Sequence, residues 1–167
     1  MRKSTLVATA AAVATASMVG GLATRPAVQS AWYARLRKPA YQPPRTVFPT
    51  VWPMLYADIA VVSAGTVDLL RDTGNRPAAR GYLLRLALNP ALNAAWSWVF
   101  FDRRRLVAAV ALNAALTASS ADLARRAIAA RGRRGVPLVL YPAWCAFAFV
   151  LSAHIWVLNR RRPIDVP

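Results

Sequence analysis

The hydrophobic positions of this chain fall into five long stretches separated by short polar segments. The stretches cover residues 5–24, 47–70, 82–101, 106–123 and 136–158. Each is close to the roughly 20 residues that a helix needs to cross the hydrocarbon core of a bilayer. The connection 102–105 is so short that the third and fourth stretches should be antiparallel neighbours. The pattern predicts an all-α fold, an integral membrane bundle of five transmembrane helices forming one domain over residues 1–167.

The first stretch allows a second interpretation. Arg2 and Lys3 before an apolar run are also typical of a secretory signal peptide, and Val28, Gln29 and Ser30 would provide a small-residue cleavage site. The Ala-rich run is near full spanning length, however, and signal cores are shorter. This favours a retained helix.

Composition supports a membrane location. Hydrophobic residues make up 57% and charged residues 17% of the chain, which is too apolar for a basic water-soluble domain. A net charge of +16 would ordinarily suggest nucleic acid. The basic residues lie between the apolar stretches, where they would meet anionic lipid headgroups instead. We expect a multi-pass protein of the cell membrane whose partner is the lipid bilayer, with no nucleic-acid binding.

The basic residues do not determine the orientation in the membrane, because the two sides are nearly matched. The side of the amino terminus carries Arg2, Lys3, Arg71, Arg76, Arg80, Arg125, Arg126, Arg131, Arg133 and Arg134. The opposite side carries Arg25, Arg35, Arg37, Lys38, Arg45, Arg103, Arg104, Arg105, Arg160, Arg161 and Arg162.

The longest connection, residues 25–46, combines aromatic, basic and proline residues. Trp32, Tyr33 and Tyr41 lie among cations, and three prolines stiffen the chain. Aromatic residues beside cations suit the headgroup region, so the segment could be an interfacial anchor. It could equally be a semi-rigid lid over one end of the bundle, since binding sites favour loops on rigid scaffolds.

Helical periodicity separates two faces of the third stretch. Asn89, Asn93, Trp96 and Phe100 fall within one narrow sector, and buried amides should face the inside of a bundle. The opposite face carries small residues at intervals of four, and small residues permit close approach of another helix. We therefore expect a homodimer formed through small-residue faces, namely Ala87, Ala91 and Ala95 here and Ala16 and Gly20 in the first stretch.

Two other stretches also combine aromatic and polar residues on one face. The stripes are Trp52, Tyr56, Ile59 and Ser63 in the second stretch, and Tyr141, Trp144, Ala148, Ser152 and Asn159 in the fifth. If the three faces converge, they form a pocket for a flat, mostly apolar ligand with a few polar groups. The alternative is that tryptophan and asparagine only hold the helices together.

A few ionisable residues stand apart from these faces. His154 could ligate haem iron, but it points away from the stripe of its helix, so a surface or interhelix position is expected. Asp58 either pairs with a polar group such as Asn113 or relays protons, and Asp68 should reach the interface. The sequence contains no nucleophile triad, paired-carboxylate site, phosphate loop or metal-ligand spacing, so no metal is expected.

Four tryptophan-bearing segments carry a resemblance to a known family. They are WYARLRKPAYQPP, VFPTVWPMLY, LNAAWSWVFF and YPAWCAFAFVLSAHIWVLN, spanning Trp32 to Asn159. In order and position they resemble the TspO/MBR family, the tryptophan-rich sensory protein or translocator protein group. The first stretch agrees in position only. Departures occur at Asn89, where the family often has Gln, at Leu140, where Pro is usual, and at Ser152, where Asn is common.

The resemblance implies a five-helix membrane bundle, often dimeric, that binds porphyrins and other flat hydrophobic ligands. No cofactor is required, and porphyrin or haem would be a ligand. Trp52 and Trp144 match two pocket tryptophans that in some members support light-dependent degradation of protoporphyrin, so they are the candidate catalytic residues. Asn93 and Trp96 match the third-helix motif. The sterol motif of animal relatives is broken at Ala153, so cholesterol binding is not implied.

We therefore expect a membrane receptor or sensor that binds porphyrins and assists their transport or light-dependent degradation, with no other enzymatic activity. The expected lining residues are Trp52, Tyr56, Asn93, Trp96, Tyr141, Trp144, Ala148 and Ser152. One alternative is a small proton-coupled transporter of hydrophobic compounds that uses Asp58. Another is a structural or regulatory partner protein whose pocket is incidental.

Overall fold

The computed structural model describes residues 1–160, which form helices joined by short turns and contain no strand. The elements in chain order are α1 (Lys3–Ala27), the short α2 (Ala31–Arg35), α3 (Val47–Asp72), α4 (Arg76–Ser97) continued by a π-helical turn (Trp98–Asp102), α5 (Leu106–Arg131), a 3₁₀ segment (Gly132–Val139) and α6 (Leu140–Asn159). The predicted all-α bundle of five long helices is confirmed.

Three helical stretches of the described residues are long and apolar enough to cross a membrane. They are α1, α3 and the stretch Leu106–Asn159, which contains α5 and α6. By composition alone α4 is not among them, because it carries Arg76, Arg80 and Arg85 as well as Asn89 and Asn93. Its two asparagines are buried against neighbouring helices, so tertiary packing shields the polar side of α4.

Three of the differences between the helices and the predicted spans have a local explanation. Helix α4, predicted as the third stretch, begins at Arg76 and not at residue 82. The Asn75 side chain caps it by accepting a hydrogen bond from the Ala78 amide at 3.1 Å. Helix α5, predicted as the fourth stretch, continues past residue 123 to Arg131. Asp122 stabilises this extension by pairing with Arg125 and Arg126, three and four positions later. The connection 25–46 is not all loop, because Ser30 caps α2.

The helices pack in an order that follows the short connections. Helix α1 contacts α3 and α4, α4 contacts α5, and α5 contacts α6 along its length. The predicted pairing of α4 with α5 is confirmed, whereas α3 and α6 touch only sparsely. We call the end with residues 25–46 and 102–105 the lid end, and the end with residues 1–4, 71–80 and 131–139 the arginine end. Arg161 and Arg162 lie outside the described residues.

Helix α1 is an integral part of the bundle. Thr9 and Val13 are buried, and the Thr9 hydroxyl donates to the Ala60 carbonyl of α3 at 3.0 Å. A Cβ on Gly20 would lie 3.2 Å from the Ser97 hydroxyl oxygen of the continuous α4 helix. Gly20 therefore allows α1 to pack closely against α4 of the same chain. At this position, the small-residue face that was predicted for a dimer contact lies inside the bundle.

Polar contacts around Asp68 and Arg131 stabilise the arginine end. That carboxylate is buried and accepts a hydrogen bond from the Thr5 hydroxyl at 2.7 Å and another from the Arg2 backbone amide. Arg131 lies across Gly65 and donates to the Val62 carbonyl at 3.2 Å. Asp68 lies near the end of α3, where it was expected to reach the interface, but it is buried there because the amino terminus of α1 covers this end of α3.

Candidate functional site

The centre of the site is an aromatic pair on α3 that is fixed by α4. Trp52 and Tyr56 are one helical turn apart, so their rings stack, with centroids 5.3 Å apart and planes at 28°. The Asn93 side-chain amide donates to the Tyr56 hydroxyl at 2.9 Å. Both rings are half-buried, whereas Asn93 is buried. The result is a stacked pair of rings, which we call the platform, and a hydrogen bond between two helices sets the orientation of its Tyr56 ring.

Trp144 of α6 lies against the same core as this platform. Trp52, Tyr56 and Trp144 all pack on one buried cluster that includes Tyr141 and Cys145. The centroid of the Trp144 ring lies 5.9 Å from that of Phe48, which it meets edge-on, and 5.5 Å from that of Phe147. Because α3 and α6 otherwise touch sparsely, these aromatic rings span the space between the two helices.

Trp96 of α4 belongs to a neighbouring aromatic cluster at the lid end. It stacks on Phe100 at 5.5 Å and meets Phe101 edge-on at 5.8 Å. The π-helical turn places these two phenylalanines in succession toward the interior. The indole nitrogens of Trp96 and Trp144 are both buried without a hydrogen-bond partner among the described residues. Such donors cost free energy unless another molecule supplies acceptors.

Two predicted site residues, Tyr141 and Ser152, are more deeply buried than the platform, and Ala148 contributes its backbone carbonyl to the same packing. Tyr141 is 1% exposed and donates its hydroxyl to the Asn89 side-chain carbonyl at 2.6 Å. Asn113 of α5 donates to the Ser152 hydroxyl at 2.8 Å and to the Ala148 carbonyl at 3.2 Å. These contacts join α6 to α4 and α5. Of the predicted lining residues, those that belong to the platform and to the aromatic clusters beside it are Trp52, Tyr56, Asn93, Trp96 and Trp144.

The connection after α1 folds over the bundle end. Trp32 is 4% and Tyr33 is 8% exposed, which a membrane-surface anchor would not require. Trp32 meets Phe100 at 5.9 Å and Tyr33 meets Phe101 at 5.8 Å. Of the two predicted roles, the lid is therefore the one that fits Trp32 and Tyr33. Only Tyr41, which is exposed, retains the character of a surface aromatic residue.

Two contacts hold the lid to the end of α6. Asn159 accepts from the Arg37 backbone amide at 3.1 Å and donates to the Arg37 carbonyl at 2.9 Å. The Tyr41 hydroxyl lies 3.2 Å from Nδ1 of His154, and the Tyr41 ring also contacts Phe147. His154 is exposed, as predicted, and its ring nitrogen meets the lid.

Cations surround the Tyr33 ring. The Lys38 ammonium lies 4.2 Å and the Arg45 guanidinium 5.6 Å from its centroid, and Lys38 also donates to the Tyr33 carbonyl. Burial raises the pKa of Tyr33. Burial, with repulsion from Arg45, lowers the pKa of Lys38. The mouth of the lid end is thus positively charged and aromatic.

Asp58 does not pair with Asn113. The amide of Asn113 is directed to α6, at Ser152 and Ala148, and one carboxyl oxygen of Asp58 is buried without a partner in residues 1–160. The predicted pair is wrong because a matching helical depth does not specify which neighbour an amide faces.

Some site residues were missed by the sequence argument. Phe48 and Phe147 flank Trp144, and Asn113 anchors Ser152. Phe147 lies three residues after Trp144, so the helical spacing contained a signal for it. Phe48 contacts Trp144 across two helices, and no local pattern indicates such a contact.

Comparison with known proteins gives a consistent result. The model of the TspO/MBR family matches residues 7–157. The chain is 30% identical over 132 residues to the tryptophan-rich sensory protein of Cereibacter sphaeroides, covering 79% of this chain and 79% of that protein. It is 31% identical over 137 residues to the translocator protein of Ovis aries, with 78% and 76% covered. It is 29% identical over 158 residues to the tryptophan-rich protein TspO of Archaeoglobus fulgidus, with 92% and 96% covered.

Proposed function

The chain belongs to the TspO/MBR family, and we propose that its helix bundle is a membrane receptor that binds porphyrins and similar flat hydrophobic ligands beneath the lid. The observation that carries this proposal is the Trp52–Tyr56 platform, whose rings lie 28° from parallel and are fixed by Asn93. A flat macrocycle stacks best on a flat, immobile aromatic surface. Pre-orientation of that surface lowers the entropy lost on binding.

The unpaired indole donors support a ligand that is not purely hydrocarbon. Nε1 of Trp96 and Nε1 of Trp144 are buried without partners among the described residues. A ligand with peripheral oxygen atoms would provide acceptors for them and would relieve the free-energy cost of leaving them unpaired. This combination, a flat apolar body with a few polar groups at its edge, is the chemistry of a porphyrin.

A titration of the purified protein with protoporphyrin, followed by tryptophan fluorescence, tests the proposal. We expect saturable quenching with a Kd in the micromolar range, corresponding to roughly 8 kcal/mol. The control ligand is a non-planar hydrophobe of similar mass, which should quench less because it cannot stack. Linear, unsaturable quenching by protoporphyrin would rule out a defined site.

Light-dependent degradation of the bound ligand follows as an extension of the proposal. Trp52 and Trp144 are the candidate residues, by the family motif and by their shared aromatic environment. The reaction would draw on the photochemistry of the porphyrin and on oxygen, with the protein supplying position. At saturating protein, illumination in air should remove porphyrin absorbance more slowly for Trp52→Phe than for the native protein. Equal rates at equal occupancy would leave binding as the whole function.

A second candidate function rests on Asp58. One of its carboxyl oxygens is buried without a partner in the described part of the chain, and ionisable groups inside membrane helices are costly and commonly functional. A proton-coupled transporter of hydrophobic compounds would carry ligand across proteoliposomes in response to a pH gradient. Asp58→Asn should abolish that response, whereas a receptor would produce no such flux with either protein.

We also propose that the chain forms a homodimer in the cell membrane. Ala87 and Ala91 are exposed on α4, opposite its buried asparagines, and small residues permit close helix contact. Ala91→Leu should shift the protein toward monomer in detergent. A dimer unchanged by this substitution would place the interface on another face.

A further inference from the structure

A groove near the arginine end contains none of the residues of the proposed site. It has a volume of about 370 Å³ and runs between α1 and α4 near the arginine end. Its walls are Ala8, Ala12, Leu83, Leu86 and Ala87, and its mouth carries Ser4 and Arg71. We propose that this groove binds an anionic phospholipid, with one acyl chain against the apolar walls and the phosphate at Arg71.

The walls of the groove are apolar because their polar atoms are engaged elsewhere. Thr5 and Thr9 also line it, but the Thr5 hydroxyl donates to Asp68 and the Thr9 hydroxyl donates to the Ala60 carbonyl. The alanines leave the space that an acyl chain would fill. In a bilayer this part of the groove faces hydrocarbon, so a chain that occupies it loses no hydration.

The mouth of the groove carries positive charge that the protein does not neutralise. Arg71 is in the last turn of α3, is exposed, and makes no salt bridge within residues 1–160. Its neighbour Arg2 contacts both Asp68 and Asp72. A cation at headgroup depth above an apolar channel matches the layout of an anionic phospholipid, charged at one end and apolar along its length.

Ala87 is both a wall of the groove and part of the proposed dimer face, so a second copy of the chain is the competing occupant. It matches the charge at Arg71 less well than a lipid does. The carboxylates at the arginine end, Asp68, Asp72 and Asp122, are already paired with arginines of their own chain. Within residues 1–160, the arginine end of another copy would therefore bring further cations to Arg71 and no unpaired carboxylate, and like charges in contact are unfavourable. A lipid phosphate supplies the missing charge.

Native mass spectrometry of the full chain tests the proposal. The protein is extracted from vesicles with equal amounts of phosphatidylglycerol and phosphatidylcholine that carry the same acyl chains. We expect about fivefold preferential retention of phosphatidylglycerol, as one basic residue near an anionic headgroup would produce. Arg71→Gln should remove the preference, whereas Arg133→Gln, an exposed arginine at the same end outside the groove, should keep it.

A second pair of variants tests the apolar part of the groove. Ala8→Leu fills it and should lower retention of both lipids, whereas Ala14→Leu, exposed on α1 but outside the lining, should not. Equal retention of the two lipids by the native protein would overturn the proposal, as would an equal loss in both arginine variants. Loss of the dimer in Ala8→Leu with lipid retention unchanged would assign the groove to a second copy instead. None of these outcomes depends on porphyrin binding.

Discussion

The two ends of the bundle differ in whether their buried polar atoms have hydrogen-bond partners. At the arginine end and in the adjoining core, Asp68, Tyr82 and Tyr141 are each hydrogen-bonded inside the chain. Between the middle of the bundle and the lid end, the indole nitrogens of Trp96 and Trp144, the side-chain oxygen of Gln42 and one carboxyl oxygen of Asp58 are buried without partners among the described residues. Satisfied polar contacts stabilise a fold, whereas unsatisfied ones need a further molecule. The comparison separates a half built for stability from a half suited to binding.

The largest expected effect is on the stable half. Gly135 lies against α5, and a Cβ there would come within 2.5 Å of the Ala127 backbone, which cannot move away as a flexible side chain could. Gly135→Ala should lower the free energy of unfolding by about 3 kcal/mol, measured by thermal unfolding in detergent. The matched control is Gly21→Ala, whose added Cβ meets nothing within 4 Å. If both variants unfold like the native protein, the α5–α6 connection is not rigid.

The next effect is on the binding half. Trp144→Leu removes a ring that contacts Phe48 and Phe147 and a buried unpaired donor. Protoporphyrin affinity should fall about tenfold, or about 1.4 kcal/mol, while thermal stability changes little. The control is Trp98→Leu, an exposed tryptophan outside the site. A loss of stability without a loss of affinity would assign Trp144 to packing alone.

A smaller effect is expected at Tyr141, which lies between the hydrogen-bonded core and the proposed binding site. Tyr141→Phe removes the donor to Asn89 and leaves that amide oxygen unpaired beneath the platform. Stability should fall by about 1 kcal/mol, and protoporphyrin affinity per folded molecule should stay unchanged. Calorimetry together with the fluorescence titration would measure both. A fall in affinity at full folding would instead place Tyr141 in contact with the ligand, as the sequence pattern predicted.

The smallest effect concerns the lid. Asn159→Ala removes both hydrogen bonds to Arg37, so the lid should open more often. Protoporphyrin should dissociate about threefold faster, as expected for the loss of well under 1 kcal/mol, with stability nearly unchanged. Stopped-flow fluorescence measures the rate. Tyr41→Phe removes the contact to His154 from an exposed residue and should have a weaker effect. Identical dissociation rates for all three proteins would mean that ligand does not leave through this end.

The membrane class, the number of long helices and the inward face of α4 could all be predicted from the amino-acid sequence. Apolar length and helical periodicity are local properties, so Asn89 and Asn93 could be assigned to the interior without any neighbour being known. The tryptophan motifs, also local, identified the family. The charges at helix ends were harder to interpret, because Arg76 and Arg125 are compatible with either a loop or a continued helix.

The partner of each polar group could not be predicted in this way, because it depends on how the helices pack. The Asn113 amide faces Ser152 and not Asp58, Asp68 is covered by the start of α1, and Phe48 reaches Trp144 from another helix. Each outcome depends on the rotation and tilt of one helix against another. Helix periodicity specifies the face on which a side chain lies, but the crossing geometry specifies what lies opposite it, and that geometry comes from packing of the whole bundle.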